Sequence, residues 1–359
     1  MIVLHLDEQQ DWRGGEQQAS WLIQGLAKAG HTVIVAGKPG CAFLESDHGG
    51  APVERLALPL RAEWDLWSAG RLARIVRDRG VDILHAHTSH AHMIACLARR
   101  FARRGKVVVS RRVSFPPRRG PLNRWKYLAP DLFLSVSRKV DEVLAAYGMP
   151  AAKRAVVHSA VDIPRAEADP LPRRELGVPE DAPLLATAGA LVGHKDHNNL
   201  VDAMPLVLAQ FPDARLVIAG EGRLRRRLET KTAALGLRDR ITLLGRREDA
   251  PRIIRAADVY VSSSWSEGLG TSILEALAGG TPVVATMAGG AAEMVLPGET
   301  GWLVPCRDPE ALADGIVSSL RHREQARAMA ARGRALVLER FSVERMVEET
   351  MRAYERLLH

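Results

Sequence analysis

The sequence predicts an α/β protein of two doubly wound parallel-sheet domains facing a central cleft, and three observations lead there. Short β-branched runs alternate with helix-length amphipathic stretches, the order that builds parallel βαβ units with right-handed crossovers. The alternation stops at Asp162, passes through IPRAEADPLPRRELGVPEDAP with its five prolines, and restarts at Leu184. The chain's 359 residues also exceed the size at which a single core stops growing.

Taken in order, Ile2–Leu6 reads as the first strand, followed by a Gly14-Gly15 turn and an amphipathic helix from about Glu16 to Ala29. Thr32–Ala36, Ile83–Ala86, Val107–Ser110 and Leu132–Val136 continue the strands of a first domain spanning 1–165. Residues 166–181 read as a linker. A second domain, 182–340, has strands Leu184–Ala188, Arg215–Ala219, Ile241–Leu244, Val259–Ser262 and Pro282–Ala285. Helices Asn198–Gln210 and the basic Leu224–Leu235 lie between them. The last stretch, 341–359, reads as an amphipathic helix with Met346, Thr350, Ala353, Tyr354 and Leu357 on one face. That face needs a partner, and the first domain is one candidate.

Hydrophobic residues at 47% and charged residues at 26% fit a soluble globular chain. No apolar run approaches bilayer length. MIVLHLDEQQ lacks the basic and long apolar regions of a signal peptide, so a cytoplasmic location is expected. Cys41, Cys96 and Cys306 are odd in number and not in CxxC form, so neither a disulfide framework nor a zinc site is expected. The net charge of +8 is uneven: residues 1–165 hold 25 Lys and Arg against 15 Asp and Glu, and the remainder 25 against 27. Arg99 to Lys126 contains eleven basic residues and no acidic one. That segment is either a solvated face or a surface for an anionic partner, whether phosphorylated glycan, membrane lipid or nucleic acid.

Among motifs, no Walker A loop is present. The two G-x-G pieces, at 220–222 and 268–270, lack the third glycine of a dinucleotide fingerprint, Arg225 and Ile273 standing there. There is no D-x-D pair, which disfavours a nucleotide site built on divalent metal. The stretch Ser266–Gly280, SEGLGTSILEALAGG, is more telling. Thr271 or Ser272 is a plausible N-cap, Gly279-Gly280 ends the helix and Pro282 blocks its return. Amides of about residues 269–272 then lie at a helix start, where phosphate binds, and Gly268 and Gly270 permit close approach. Glu275 is placed to accept hydrogen bonds from ribose hydroxyls, and Glu267 sits on the ligand edge of the sheet. The plainer alternative is an early-helix carboxylate and a loop residue.

His85, His87, His90 and His92 invite a metal reading, but no nearby Cys or carboxylate completes a usual ligand set, and no metal is expected. Trp64, Trp67 and Trp125 are either core residues or sugar-stacking ones.

EGLGTSILEAL, an E-x7-E followed by GGTPVVAT, resembles the retaining nucleotide-sugar glycosyltransferases of the GT-B fold, family 4 (group 1). Other pieces stand in that family's order over nearly the whole chain: Gly14-Gly15-Glu16, DILHAH, LFLSVSRKV, HSAVD, Lys195, IAGEGRLRRRLE, LLGR, AADVYVSSSWSEGLG and LPGETGWLVP.

The resemblance implies two Rossmann-like domains, the second binding the nucleotide sugar and the first an acceptor such as a lipopolysaccharide or other cell-envelope glycan. It implies that Glu275 holds the ribose, Glu267 the transferred sugar, and the Gly268, Leu269, Gly270 and Thr271 segment the diphosphate, with Lys195 neutralising it. Gly189 would flank the phosphates, Gly14 and Gly15 would close over them, and Arg246 would sit by the base. Same-face attack with a leaving phosphate that takes the acceptor proton is the implied mechanism, without a cofactor.

Two departures stand out. The family's Arg after the glycine ending the second domain's first strand is Ala190 here, leaving His194, Arg13 or Arg112 as substitutes. Arg112 also falls nearest the position of a family His, where a guanidinium binds phosphate bidentately. His87, at the end of DILHAH, is placed near donor or acceptor. The basic Arg99–Lys126 segment would face an anionic glycolipid acceptor or the membrane surface.

A nucleotide-sugar epimerase on the same fold is the alternative enzyme. Nucleic-acid binding is not expected, since aromatics are only 5% and no module is recognisable. Nothing in the sequence fixes the base, the sugar or the oligomeric state.

Overall fold

The computed structural model describes residues 1–359, which form two compact units. The first comprises Met1–Ser159 with Val343–His359, the second Ala160–Ser342. In the first, strands β1 (Ile2–Leu6), β2 (Thr32–Gly37), β3 (Val53–Ala57), β4 (Ile83–Ala86), β5 (Lys106–Arg111), β6 (Leu132–Ser135) and β7 (Arg154–Val156) form one sheet. Its order is β3-β2-β1-β4-β5-β6-β7. In the second, β8 (Leu184–Ala188), β9 (Arg215–Ala219), β10 (Ile241–Gly245), β11 (Val259–Ser262), β12 (Val283–Thr286) and β13 (Trp302–Val304) run in the order β10-β9-β8-β11-β12-β13. Every pairing is parallel.

The central strands are largely buried, β8 (LLATA) and β12 (VVAT) along their whole length. Helices cover both faces of a parallel sheet, so such strands read as unbroken apolar runs. Strands β3, β7 and β13 are absent from the sequence-based reading, and all three are sheet edges. Edge strands keep one side in water, so VERLA, RAV and WLV carry only half-buried or exposed residues and lack that run.

Residues 166–181, expected as a linker, are packed into the second unit. Ala166, Leu171, Leu176 and Val178 are buried, and the Leu171 amide donates to the Arg252 carbonyl at 3.1 Å. Arg173 ties the segment to Asp258 at 3.0 Å and to the Ala182 carbonyl at 2.8 Å. Prolines bend this stretch, but the apolar residues between them still seek the core. The last helix, Val343–Leu358, belongs to the first unit, with Met346, Val347, Thr350, Ala353 and Tyr354 buried there.

In each sheet the chain's progress reverses between two central strands, β1 and β4 in the first, β8 and β11 in the second. Loops diverge there and leave a crevice at the strand C-termini, where doubly wound folds bind ligands. In the second sheet the approach of two loops is tight: a Cβ on Gly220 would lie 1.9 Å from the Gly189 carbonyl oxygen. Gly220→Ala is therefore expected to cost about 2 kcal/mol or more in urea denaturation. Gly193→Ala, with nothing within 4 Å of its added Cβ, should be near neutral.

Candidate active site

At the ends of β8 and β11 the second unit gathers Lys195, Ser264 and Glu267. Lys195 Nζ and Ser264 Oγ both donate to Glu267 Oε1 at 2.6 Å. The Lys195 stem lies over Gly189, its Cε 3.4 Å from where a Cβ would stand. Backbone contacts pin the two loops together: the Trp265 amide donates to the His194 carbonyl at 2.9 Å, Trp265 Nε1 to that of Gly193 at 2.9 Å, and Ser263 Oγ to that of Lys195 at 3.0 Å. Gly289 backs the Glu267 loop so closely, at φ 55°, that a Cβ there would meet the Glu267 carbonyl at 1.8 Å. Burial alone would raise the Glu267 carboxyl; the Lys195 ammonium and the Ser264 hydroxyl outweigh it and hold the carboxyl below the usual range.

Helix Thr271–Ala278 starts beside this pair. Its N-cap is Gly270, at φ 102°, and not Thr271 or Ser272 as their hydroxyls predict, and no side chain caps it. The left-handed backbone that turns the chain into this helix suits glycine, so a hydroxyl residue does not occupy the cap. The first amides of the helix thus have no side-chain cap, the condition under which a helix start can take an anion. Leu269 is only 2% exposed and anchors the Gly268–Gly270 loop in the core, offering a ligand its backbone only. Glu275, one turn further on, is half-buried. Burial pushes its carboxyl up to about 7, and Asp162 adds to this against the pull of Arg165 and Lys195.

Arg246 is exposed at the end of β10, while its neighbour Arg247 is held bidentately by Asp249 at 2.7 and 2.6 Å. Near the loop that carries Ala190 the structure adds two cations that the sequence reading missed. Arg223 lies close enough to His194 to lower its pKa, and the Arg307 guanidinium stacks 4.7 Å above the exposed Trp265 ring. No local pattern in the chain flags either one, since each is positioned by a loop from another strand. Burial, then Lys195 and Arg223, depress His194, so it is a poor substitute for a fixed cation.

In the first unit Gly14 and Gly15 form the first turn of helix Gly14–Lys28 and not a loop before it. Arg13 is the N-cap, its amide donating to Glu16 Oε2 at 2.8 Å, while its exposed side chain reaches Asp11 at 3.4 Å. Arg112 lies over Gly15, with Cδ 3.5 Å from where a Cβ would be. Its Nε and Nη1 are buried and have no hydrogen-bond partner.

Beside Arg112 the ends of β1 and β4 bring His5, His85 and His87 together. Of the four histidines flagged in sequence, His90 and His92 stand apart, near Glu8 and on the Lys126 carbonyl respectively. His5, embedded in the apolar run IVLHL, gave no signal. The nitrogens of this trio are largely taken by hydrogen bonds, and a fixed cation adjoins them, which suits a hydrogen-bonded relay better than a metal ion. Burial keeps all three rings neutral at neutral pH, with His5 lowered to about 3. Burial also raises the nearby Asp7 carboxyl to about 8, with Glu16 and Glu8 adding to it.

The basic segment is not one surface. Arg111 is bound to the Tyr127 hydroxyl and the Phe115 carbonyl, Arg112 joins the histidines, and Lys126 is buried on Glu63 and Ser89. Arg99, Arg100, Arg103, Arg104 and Lys106 instead line a cavity of about 1160 Å³, together with Lys153, Phe101, Trp125 and Leu128. Lys106 opens β5 and Lys153 precedes β7, so this cavity lies at the opposite end of the sheet from His87. Trp64 and Trp125 are stacked on each other, 6.2 Å between centroids, and both remain partly exposed.

Two doubly wound parallel-sheet units, each with a polar cluster at its switch point, make the GT-B fold. The chain resembles Anabaena HepE, solved with UDP and glucose, at a TM-score of 0.85 and 23% identity over 99% of this chain and 100% of that one. It matches Glycosyltransferase Family 4 over residues 12–165 and Glycosyl transferases group 1 over residues 170–336. The chain belongs to this family and is a glycosyltransferase. It is 29% identical to the Bacillus subtilis glycosyltransferase EpsD over 84% of each chain. It is 30% identical to the lipopolysaccharide core biosynthesis mannosyltransferase LpsB of Rhizobium meliloti, over 62% of this chain and 67% of that one.

The Glu275 carboxyl generates a stability prediction. The folded chain keeps this proton up to about 7 and the unfolded chain releases it near 4.5, so the group's contribution falls as pH rises through that window. Glu275→Gln should therefore match the parent protein in Tm near pH 4 and exceed it at pH 8, while binding nucleotide sugar less tightly.

Proposed function

We propose that this glycosyltransferase moves a sugar from a nucleoside diphosphate sugar to a hydroxyl of a cell-envelope glycan or lipid-linked glycan. Configuration is retained, and no metal ion takes part. The observation that carries this reading is the Lys195–Glu267 pair at the end of β8 and β11, beside the uncapped start of helix Thr271–Ala278. In it, the amides of Gly268 to Thr271 and the Lys195 ammonium bind the diphosphate. Glu275 takes the ribose hydroxyls, Arg246 approaches the base, and Glu267 meets the hydroxyls of the transferred sugar. Charge develops on the departing diphosphate, and fixed dipoles and cations stabilise it without reorganising.

In the first unit Arg112 is the oxyanion ligand, with His87 as its neutral neighbour next to the acceptor. HepE binds UDP, and a Corynebacterium relative 36% identical over 49% of this chain and 48% of its own is GDP-mannose-dependent, so both bases are candidates. LpsB, named for lipopolysaccharide core biosynthesis, supports an envelope glycan as acceptor.

A thermal-shift screen of UDP-, GDP- and ADP-sugars tests the donor. One sugar should raise Tm by mass action, and no shift with any would sink the reading. With that donor, Arg112→Ala should lower turnover about a hundredfold, while exposed Arg119→Ala should not; equal effects would remove Arg112 from the chemistry.

No helix is long and apolar enough to cross a membrane. The cationic cavity with its exposed Phe101 (44%) and Trp125 (37%) supports a cytoplasmic enzyme that touches an anionic bilayer there. Co-sedimentation with vesicles containing phosphatidylglycerol should fall about tenfold on combining Arg100→Ser, Arg103→Ser and Arg104→Ser, and neutral vesicles should not bind. Unchanged sedimentation of that variant would rule the cavity out.

A further inference from the structure

His5, His85 and His87 have ligand nitrogens within 4.8 Å of one another, and Arg112 stands beside them. One constraint fixes where their protons lie: a guanidinium donates and never accepts. Arg112 Nη2 is 3.5 Å from His87 Nδ1, so that nitrogen is the acceptor and the neutral ring carries its proton on Nε2. His87 Nε2 is 2.9 Å from His5 Nδ1 and donates to it. His5 is thereby left with its proton on Nε2, a buried atom that meets no partner. Each hydrogen bond in this line points away from Arg112.

His85 supports the line from the side. Its ring packs on that of His87 with centroids 4.3 Å apart. Its Nε2 is 2.8 Å from Ser110 Oγ, and its Nδ1 is 2.5 Å from the hydroxyl of Tyr354, which is fully buried and 269 residues further along the chain. With both nitrogens held, the His85 ring cannot rotate, and the face it offers His87 is fixed.

We infer that His5 and Tyr354 are positioning residues that hold Arg112 and His87 through a neutral imidazole relay. The inference rests on the reading of Arg112 as an oxyanion ligand. A carboxylate in place of His87 would orient the guanidinium equally well but would cancel its charge. A neutral acceptor orients it without adding to the negative charge that Asp7 and Glu16 already bring near it. The buried, unpartnered Nε and Nη1 of Arg112 then keep their donor capacity for a phosphate oxygen. The last helix becomes part of the first unit's site through a single hydroxyl, beyond the apolar packing that its other buried residues supply.

Two measurements on the full-length protein test this. Imidazole ¹⁵N NMR should show His5 and His87 both as neutral Nε2–H tautomers; an Nδ1–H tautomer at either one overturns the relay. On the nucleotide sugar found by thermal shift, His5→Leu and Tyr354→Phe should lower kcat about tenfold with the donor KM little changed. His5→Asn, whose side-chain oxygen can accept where Nδ1 did, should recover most of that loss. Val347→Ala, on the same helix but outside the relay, should lower Tm and spare kcat. If His5→Leu turns over like the parent protein, the positioning role is wrong although the transferase reading stands. If no nucleotide sugar binds, the transferase reading falls and the tautomers still decide the relay.

Discussion

The second unit's site depends on one contact, the Lys195 ammonium on the Glu267 carboxylate. Both groups sit mostly out of water, and a charge left alone there is costly enough to rearrange its loop. Loop 193–195 and loop 263–267 are held in register around this pair, with Trp265 and Ser263 adding bonds to the opposite backbone. The contact also keeps Glu267 ionised despite burial, so the site holds a charged carboxylate. Lys195 meanwhile can use its remaining donors on a ligand, since an ammonium carries three.

The first unit solves the same problem with the opposite chemistry. At its switch point stand a cation, three imidazoles and an Asp7 carboxyl raised to about 8, the imidazoles and Asp7 kept uncharged by burial, with the buried Glu16 close enough to act on both Asp7 and Arg112. Neutral acceptors can fix a guanidinium in place, but they do not repay its desolvation. The buried Nε and Nη1 of Arg112 therefore find no acceptor within the protein, and an arriving oxyanion would meet donors already oriented. Pre-placed donors of this kind make an electrostatic site effective because little reorganisation remains for the moment of binding.

The sequence shows these two solutions unequally. Much of the second unit's site is contiguous in the chain: Glu267, the glycines and Glu275 fall within one strand-turn-helix, with Lys195 joining from the loop after β8, and glycine spacing with a helix start has a direct physical meaning. The cap is not legible there, because Thr271 and Ser272 are good caps by chemistry while the backbone at Gly270 needs a positive φ, and Arg223 and Arg307 enter from other loops. The first unit's site is assembled from β1, β4, β5 and the last helix. His5 lies in an apolar strand and Tyr354 on an amphipathic helix, where periodicity reports burial and says nothing of what a buried polar atom meets. The basic segment misled for a related reason. Consecutive cations on a helix, a strand and a loop face different ways, so Arg111 and Lys126 end inside the unit and Arg99 to Lys106 at the far edge of the sheet.

The charge balance at the two switch points ties these observations to Ala190. In the second unit Lys195 is matched by Glu267, and Glu275 contributes further negative charge whenever it ionises. The other positive features there are the helix-start amides and the exposed Arg223 and Arg307. Ala190 itself is exposed and adds no charge to this balance. In the first unit the Arg112 guanidinium is hydrogen-bonded to the neutral His87, with the Asp7 and Glu16 carboxyls near enough to favour its charge. The two switch points thus keep donors available by different routes, Lys195 through the donors its carboxylate partner leaves over and Arg112 through a neutral histidine acceptor.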